Sequence, residues 1–537
     1  MQGQKWERRA FRPGRAALGV VVAMASLAVG CGSSDNSGQS SNPTTTSAAA
    51  GSTSTSAETT TSTTPQPTPT SMEQWEALWA QERAAIVKRI KDNKWGKSAD
   101  GKTLTGPEGF TIDLSKCGSG WSDTEGLTDA EIKIGHTISM SGTTADYGNA
   151  TKTLALIFDY YSQKGVFKDV NGKTRKINYM PKDDGYDPAR TIPLTDEMID
   201  SEKVFEELAL GSPNVLKIYD KLNQRCVPNP FMASGHPAFG DPVNHPWTTG
   251  APQTSYSTEA VLWGSFIEQH LSEFPNSKVK VAALIMNNDF GRIYDQSFKA
   301  YLAQSAAKDK VEYVTETIEP QAPSMVDPMT TLASKNPDFF IAMVAASLCT
   351  QSVVTAAENG MHDKAKYLFQ PATCTGTGYV SKEKVGGDGA AANGWWLVNP
   401  GFKDFNDPSQ FSDAYVAWGR DLMTSHGLDP KASSSYANGF PYAFGIVQAL
   451  QIAGHLDGGL NRSNFILAIR SLDMTNPYYL PGIRFHLNGN KDAFLEEGGV
   501  YQQWDAQKQI WMTKGKVIDL DGKSKNCAWE SSAGTCK

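Results

Sequence analysis

The segment Ile132–Gly148, IKIGHTISMSGTTADYG, decides the fold. Apolar and polar residues alternate from Ile132 to Ile138, which is the period of a half-buried β-strand. Small polar residues follow as a turn, and residues 149–164 then carry apolar side chains at helical spacing. A strand, a turn and a helix in this order are typical of one repeating unit of a parallel α/β sheet.

The same unit repeats along the chain in two series. The first predicts strands over 132–138, 176–180, 204–210 and 230–234, and helices over 149–164, 214–224 and 257–273, the last with Ser257 as N-cap. The second predicts strands over 279–286, 311–317, 338–344, 366–370 and 394–398, and helices over 292–306, 325–334 and 350–359. The predicted fold class is therefore α/β, with two Rossmann-like lobes built on parallel sheets.

Polar turns follow several of the predicted strands. Ligands of open α/β sheets bind beyond the carboxyl ends of the strands, so these turns bear on function. Four of them are rich in Gly, Ser and Asn: 139–144, 211–213, 234–237 and 287–291. Any one could be an ordinary connection, but the set indicates a binding cleft.

Composition and motifs exclude several classes of protein. The net charge is −7, and an acidic chain lacks the basic face that binds nucleic acid. The sequence contains no H-E-x-x-H, G-x-S-x-G or Walker P-loop. Ser381 and Lys384 satisfy S-x-x-K, but its companion motifs are absent. We expect a monomeric binding protein without a cofactor or a metal, and not an enzyme.

The N-terminus predicts export and anchoring. Residues 1–15 are basic and residues 16–29 small or apolar, as in a secretory signal peptide over 1–30. Cys31 follows in a setting that resembles a bacterial lipobox, although Leu27 lies four residues before it rather than three; the alternative is a plain signal peptide. Residues 31–70 predict a disordered tether, since 22 of the 39 residues from 32 to 70 are Ser or Thr. Arg8-Arg9 leaves twin-arginine export open beside Sec export.

Six cysteines remain after Cys31, and an even number in an exported chain predicts disulfide bonds. Fifteen pairings are possible. Spacing favours the pairs Cys349–Cys374, Cys527–Cys536 and, by remainder, Cys117–Cys226.

Four motifs resemble one family over residues 132–514. They are Met140-Ser141-Gly142-x-x-Ala145-x-Tyr147-Gly148, Asp183-Asp184-Gly185-Tyr186-Asp187-Pro188, Asn288-Asp289-Phe290-Gly291 and Pro481-Gly482-Ile483-Arg484-Phe485-x-x-Asn488-Gly489. The chain resembles the type I periplasmic binding proteins, specifically the leucine/isoleucine/valine-binding group. The resemblance implies an exported protein that closes two lobes around a small solute and delivers it to the permease of an ABC importer.

The resemblance also implies the domain boundaries. Three crossings join the lobes, with lobe I over 131–253 and 401–478 and lobe II over 254–400 and 479–520. Outside it lie a helical extension over 71–130, whose apolar stripe we expect to pack on the main body, and a disulfide tail over 521–537.

Carried over by position, the resemblance implies nine ligand-binding residues. Lobe I offers Ser141, Tyr147, Ser212, Gly235 and His236; lobe II offers Asp289, Phe290, Ser347 and Thr373. Tyr147 would form an aromatic wall, and Ser212 with the Gly235–His236 turn would hold a carboxylate. Two alternatives stay open: His236 as a structural hydrogen-bonding residue, and Asp289 as the cap of the helix that begins near Gly291.

One position departs from the family pattern. Amino-acid binders carry a Glu in the last cleft turn, and Ala372 stands there in this sequence. A buried ammonium without a partner is costly, so we expect an aromatic or aliphatic acid, with an amino acid as the alternative. A ligand-sensing ectodomain in signalling is the alternative to transport.

Overall fold

The computed structural model describes residues 68–275 and 278–537. The predicted signal peptide and most of the predicted tether lie outside the described residues, and so does Cys31. No helix within the described ranges has the length and apolar character needed to cross a bilayer.

A helix and a small sheet precede the first lobe. Helix α1 (Met72–Asp92) is capped by Ser71 and buries an apolar stripe in the core of lobe I: Trp75, Trp79, Ile86 and Ile90. An antiparallel sheet follows, formed by β1 (Gly96–Lys97), β2 (Thr103–Thr105) and β3 (Thr111–Asp113). The extension, predicted as helical, has only this one α-helix.

The first lobe is built on a parallel sheet of order β5-β4-β6. Its strands are β4 (Glu131–Ile138), β5 (Lys176–Asp183) and β6 (Glu206–Ala209). The helices in this first segment of lobe I are α2 (Ala150–Gln163), α3 (Pro188–Asp196) and α4 (Ser212–Gln224).

The second lobe is built on a seven-stranded sheet of order β15-β14-β11-β10-β9-β7-β8. Its strands are β7 (Val279–Met286), β8 (Val311–Ile318), β9 (Phe339–Met343), β10 (Tyr367–Gln370), β11 (Trp396–Asn399), β14 (Gly498–Asp505) and β15 (Ile510–Asp519). Its helices are α5 (Tyr256–His270), α6 (Asp289–Gln304), α7 (Val326–Ser334), α8 (Ser347–Glu358), α9 (Met361–Lys364) and α10 (Lys382–Val385). Only β14 and β15 run antiparallel to their neighbours.

The chain then returns to lobe I and leaves it a second time. The returning elements are α11 (Ala414–Ser425), α12 (Ser435–Gly454), α13 (Arg462–Ile469), β12 (Asp473–Met474) and β13 (Phe485–His486). The chain crosses between the two cores three times, between Trp247 and Tyr256, between Val398 and Phe405, and between Leu495 and β14. The α/β fold of two lobes with parallel sheets is confirmed.

The third crossing lies later than predicted. The resemblance implies that residues 479–495 belong to lobe II, but β13 pairs with β12, and Phe485, Leu487 and Leu495 lie in the core of lobe I. The apolar side chains of this hairpin fill lobe I, so the chain crosses only after Leu495.

Two local predictions are wrong. Residues 230–234 form no strand: they make one isolated bridge, from Ala233 to Leu210, because Phe231 has a left-handed φ of 51° that breaks an extended path. Helix α5 begins two residues earlier than expected, since its N-cap is Ser255, not Ser257, and Ser255 accepts a hydrogen bond from the Thr258 amide.

The C-terminal tail returns to lobe I from β15. It contains a hairpin of β16 (Trp529–Glu530) and β17 (Thr535–Cys536), and the Cys527 amide donates to the Gly240 carbonyl at 2.9 Å. The structure pairs the six cysteines as Cys117–Cys226, Cys349–Cys374 and Cys527–Cys536, the pairing that spacing favoured.

Candidate ligand-binding cleft

A cavity of about 90 Å³ lies between the lobes, at the carboxyl ends of the strands. Eight phenyl and phenol rings line it: Tyr147, Tyr186, Phe231, Tyr256, Phe290, Tyr379, Phe402 and Tyr442. Among the described residues, no Asp, Glu, Lys or Arg belongs to the lining. The wall is therefore mostly apolar and aromatic, and its polar side chains are uncharged: the tyrosines, two threonines, one serine, two side-chain amides and His136.

Hydrogen bonds join the two lobes across the mouth of the cavity. The Ala346 amide donates to Tyr147 Oη at 3.0 Å. The Thr143 hydroxyl donates to the Pro320 carbonyl at 3.0 Å, and Tyr379 Oη donates to Asp146 at 3.3 Å. These contacts hold the lobes in a closed arrangement.

Ala346 has a backbone conformation that L-residues rarely adopt. Its φ is 54° and its ψ is −128°, immediately before helix α8. Such strain persists only where neighbouring contacts fix it, and it often marks binding sites. Here it directs the Ala346 amide to Tyr147 on the opposite lobe.

His136 forms part of the cavity wall on the side of lobe I. Its Nδ1 lies 2.6 Å from Tyr179 Oη, whereas its Nε2 is buried and has no hydrogen-bond partner among the described residues. Burial lowers the pKa of His136 to about 3, so the ring is neutral near pH 7. The ring therefore contributes an uncharged group to the cavity wall.

A buried acid lies behind the cavity near Ala372. Glu259 Oε1 accepts a hydrogen bond from the Ala372 amide at 2.7 Å, and Glu259 Oε2 accepts one from Tyr294. Burial raises the pKa of Glu259 to about 8, and its side chain does not belong to the lining. Both oxygens are therefore occupied, and Glu259 does not replace the missing cleft acid.

Three of the nine proposed site residues line this cavity: Tyr147, Phe290 and Thr373. The other six do not: Ser141, Ser212, Gly235, His236, Asp289 and Ser347. Two turns of lobe I pack against the protein instead of lining the cavity. Ser212 Oγ lies 2.8 Å from Ser234 Oγ, and a Cβ on Gly235 would meet Tyr256.

The side chain of His236 contacts other residues of the protein, and Asp289 lies at the start of a helix. His236 Nδ1 accepts from the Ala238 amide at 3.2 Å, and its ring packs edge-on against Trp529 at 4.5 Å. Asp289 is the first residue of α6, and the cap is its neighbour Asn288, which accepts from the Gly291 amide. Ser347 borders a separate depression beside Asp146.

Sequence reasoning missed most of the aromatic wall and His136. One signal was available: His136 has the same strand parity as Ile132, Ile134 and Ile138, so it stands where the alternation requires an apolar residue. Tyr256, Tyr379 and Tyr442 reach the cavity from three different elements, and no local pattern unites them.

The fold and the cleft together define a two-lobed solute-binding protein. The family model for "periplasmic binding protein" matches residues 131–507. The chain belongs to this family, the type I group whose members serve ABC transporters outside the cytoplasm, and it is a binding protein rather than an enzyme.

Solved structures agree on the fold at low sequence identity. A branched-chain amino acid ABC transporter protein from Thermus thermophilus, with bound valine, is 16% identical, with a TM-score of 0.61 over 73% of this chain and 97% of that one. A fatty acid ABC transporter substrate-binding protein from Thermomonospora curvata is 17% identical, with a TM-score of 0.60 over 82% and 100%. A solute-binding protein from Rhodopseudomonas palustris BisB5, in complex with 3,4-dihydroxybenzoic acid, is 18% identical, with a TM-score of 0.57 over 74% and 100%. No curated protein matches the sequence.

Proposed function

We propose that this chain binds a small solute with an apolar or aromatic body in the interlobe cavity and delivers it to the permease of an ABC importer. The observation that carries the proposal is the closed cavity with its eight aromatic rings and no charged lining residue among those described. Cavities of roughly this order hold ligands the size of benzene, which favours a compact solute over a long acyl chain.

Lobe closure would be the signal that the permease reads. A solute that touches both lobes only in the closed state shifts the population toward that state. Tyr147 from lobe I and Phe290 from lobe II both face the cavity, so one solute can contact both lobes.

The amino-acid alternative finds little support in this lining. An ammonium group would need an acidic partner, and Glu259 is already occupied behind the wall. The matched test is calorimetry with leucine and valine against the corresponding deaminated acids. Tight binding of the amino acids alone would contradict this part of the proposal.

Membrane attachment belongs to the same proposal. Cys31 would be lipidated, and residues 31–70 would tether the binding domain near the permease. The alternative of a sensing ectodomain uses the same cleft but needs a signalling partner instead of a permease.

The test of the proposal is solute uptake by cells that carry the permease, compared between wild type and Phe290→Ala. Phe290 lines the cavity and is 2% exposed, so its loss should weaken binding and lower uptake at limiting solute. The matched control is Phe298→Ala, a buried ring on the same helix that does not line the cavity. Normal uptake by a folded Phe290→Ala variant would contradict the proposed site.

A further inference from the structure

Three tyrosine hydroxyls on the cavity lining make no hydrogen bond to any described residue. They belong to Tyr186, Tyr256 and Tyr442. None of the three is fully enclosed by the described residues, so each keeps surface that a solute in the cavity can reach. A phenol hydroxyl carries one proton that it can donate. Each of these hydroxyls therefore needs an acceptor that the described part of the chain does not supply.

Close packing holds two of these rings in place. A Cβ on Gly211 would lie 2.5 Å from the Tyr186 ring, and a Cβ on Gly235 would lie 2.6 Å from the Tyr256 ring. Each ring therefore packs against a turn that leaves no room for a side chain. Tyr256 also stacks on Tyr294, with the ring centroids 4.6 Å apart. Rings packed in this way cannot easily turn their hydroxyls away from the cavity to find another partner.

The phenols of Tyr256 and Tyr442 come from opposite lobes. Tyr256 begins α5 of lobe II, and Tyr442 lies in α12 of lobe I. Burial raises the pKa of Tyr256 to about 12. Burial also raises the pKa of Tyr442, and the neighbouring phenol of Tyr256 adds to that rise. Both phenols are therefore protonated near neutral pH, and they lie close enough to each other to interact across the cleft.

The lining disfavours a charged solute. Among the described lining residues, a carboxylate would meet no Lys or Arg, and an ammonium would meet no Asp or Glu. Acids lie behind two of the lining tyrosines: Asp146 accepts from Tyr379 Oη at 3.3 Å, and Asp184 accepts from the Tyr186 amide at 2.9 Å. Burying an unpaired charge is unfavourable, so the acceptor that the phenols need is an uncharged one.

We propose that the solute carries an uncharged carbonyl oxygen, as a ketone or an ester does, and that phenol hydroxyls from both lobes donate to it. This rests on the proposed function and names its solute class. A carbonyl oxygen has two lone pairs, so it can accept from Tyr256 and Tyr442 together. An alcohol would add another donor to a wall whose donors already lack acceptors. Because the two phenols lie on opposite lobes, both hydrogen bonds form only in the closed state.

The test uses two matched series whose members share a body and differ in one group. The first is ethylbenzene, acetophenone, 1-phenylethanol, benzoate and benzylamine; the second is methylcyclohexane, cyclohexanone, cyclohexanol, cyclohexanecarboxylate and cyclohexylamine. Binding is measured by native mass spectrometry and by competition with a polarity-sensitive dye. In at least one series the ketone should bind about tenfold more tightly than the other four, the ratio that one to two buried hydrogen bonds supply.

The variants Tyr256→Phe and Tyr442→Phe should each weaken binding of the ketone about fivefold and leave binding of the hydrocarbon unchanged. The matched control is Tyr415→Phe, which changes a buried tyrosine in the core of lobe I that does not line the cavity. If a variant does not fold, infrared spectroscopy of the wild type carries the test. The carbonyl stretch of the bound, isotope-labelled ketone should lie at a lower frequency than in hexane, because hydrogen bonding weakens the carbonyl bond.

The outcomes separate this inference from the proposed function. Tighter binding of the hydrocarbon, the alcohol, the carboxylate or the amine overturns the carbonyl assignment and leaves the solute-binding function standing. An equal loss for all members of a series in both variants, or a carbonyl stretch at its hexane frequency, also overturns it, because the phenols would then not donate to the solute. Binding of no compound in either series contradicts the compact apolar solute of the proposed function, and this inference with it.

Discussion

Removing the Tyr147 hydroxyl should open the lobes without emptying the cavity. In Tyr147→Phe the ring stays, but the Ala346 amide loses its acceptor at 3.0 Å across the mouth. One neutral hydrogen bond contributes about 0.5–1.5 kcal/mol, so the closed-to-open ratio of the solute-free protein should fall about two- to tenfold. The Ala346 amide, held at a strained φ, would also be left without a partner. We therefore expect the fall in the closed-to-open ratio to lie in the upper half of that range.

The assay is small-angle X-ray scattering of the solute-free protein, read as the fraction of open molecules. The matched control is Tyr442→Phe, because Tyr442 lines the same cavity and its hydroxyl makes no hydrogen bond to the described residues. Tyr147→Ala should additionally weaken solute binding by about 1–3 kcal/mol through the lost ring. Equal open fractions for Tyr147→Phe and Tyr442→Phe would refute the role of this hydrogen bond in closure.

Three further predictions concern the anchor, the disulfides and pH. Cys31→Ala should release the protein into the medium, measured by fractionation; a variant that stays with the membrane contradicts lipidation of Cys31. Non-reducing peptide mapping should recover the three pairs, Cys117–Cys226, Cys349–Cys374 and Cys527–Cys536, and free thiols at these positions would contradict them. Burial would lower the pKa of His486, but the carboxylates of Asp492 and Asp521, 3.4 and 3.6 Å from its Nδ1, outweigh burial and raise the pKa to about 9. Because the pKa is higher in the folded state, protonated His486 stabilises the fold fully below pH 6.5, and this stabilisation is lost as the pH rises through 9. The free energy of unfolding should therefore fall by up to about 3 kcal/mol between these pH values. His486→Gln should flatten this pH profile.

The sequence specified the lobes more fully than their borders. Strand and helix periods are local, so β4, β7 and β9 could be recognised from neighbouring residues alone. The closing hairpin could not be assigned to a lobe in this way, because Phe485 is apolar in either setting. Its place in lobe I depends on cores formed by residues far away in sequence.

The candidate site was predictable as a region and not as a residue set. Strand topology located the cleft at the carboxyl ends, and Tyr147 and Phe290 do face it. Ser212 and Gly235 lie in the expected turns, but Ser234 and Tyr256 occupy the space their polar groups would need. Which side of a turn faces the cavity depends on such tertiary contacts, and sequence spacing does not encode them.

The central claim is that the interlobe cavity holds a solute. Native mass spectrometry of protein purified gently from its own host tests it most directly, with Ala345→Phe as the comparison, because Ala345 is a buried lining residue whose larger replacement fills the cavity. The account predicts one small adduct on the wild type and none on the folded Ala345→Phe variant. An adduct of equal occupancy on both proteins would contradict it, since the solute would then bind elsewhere.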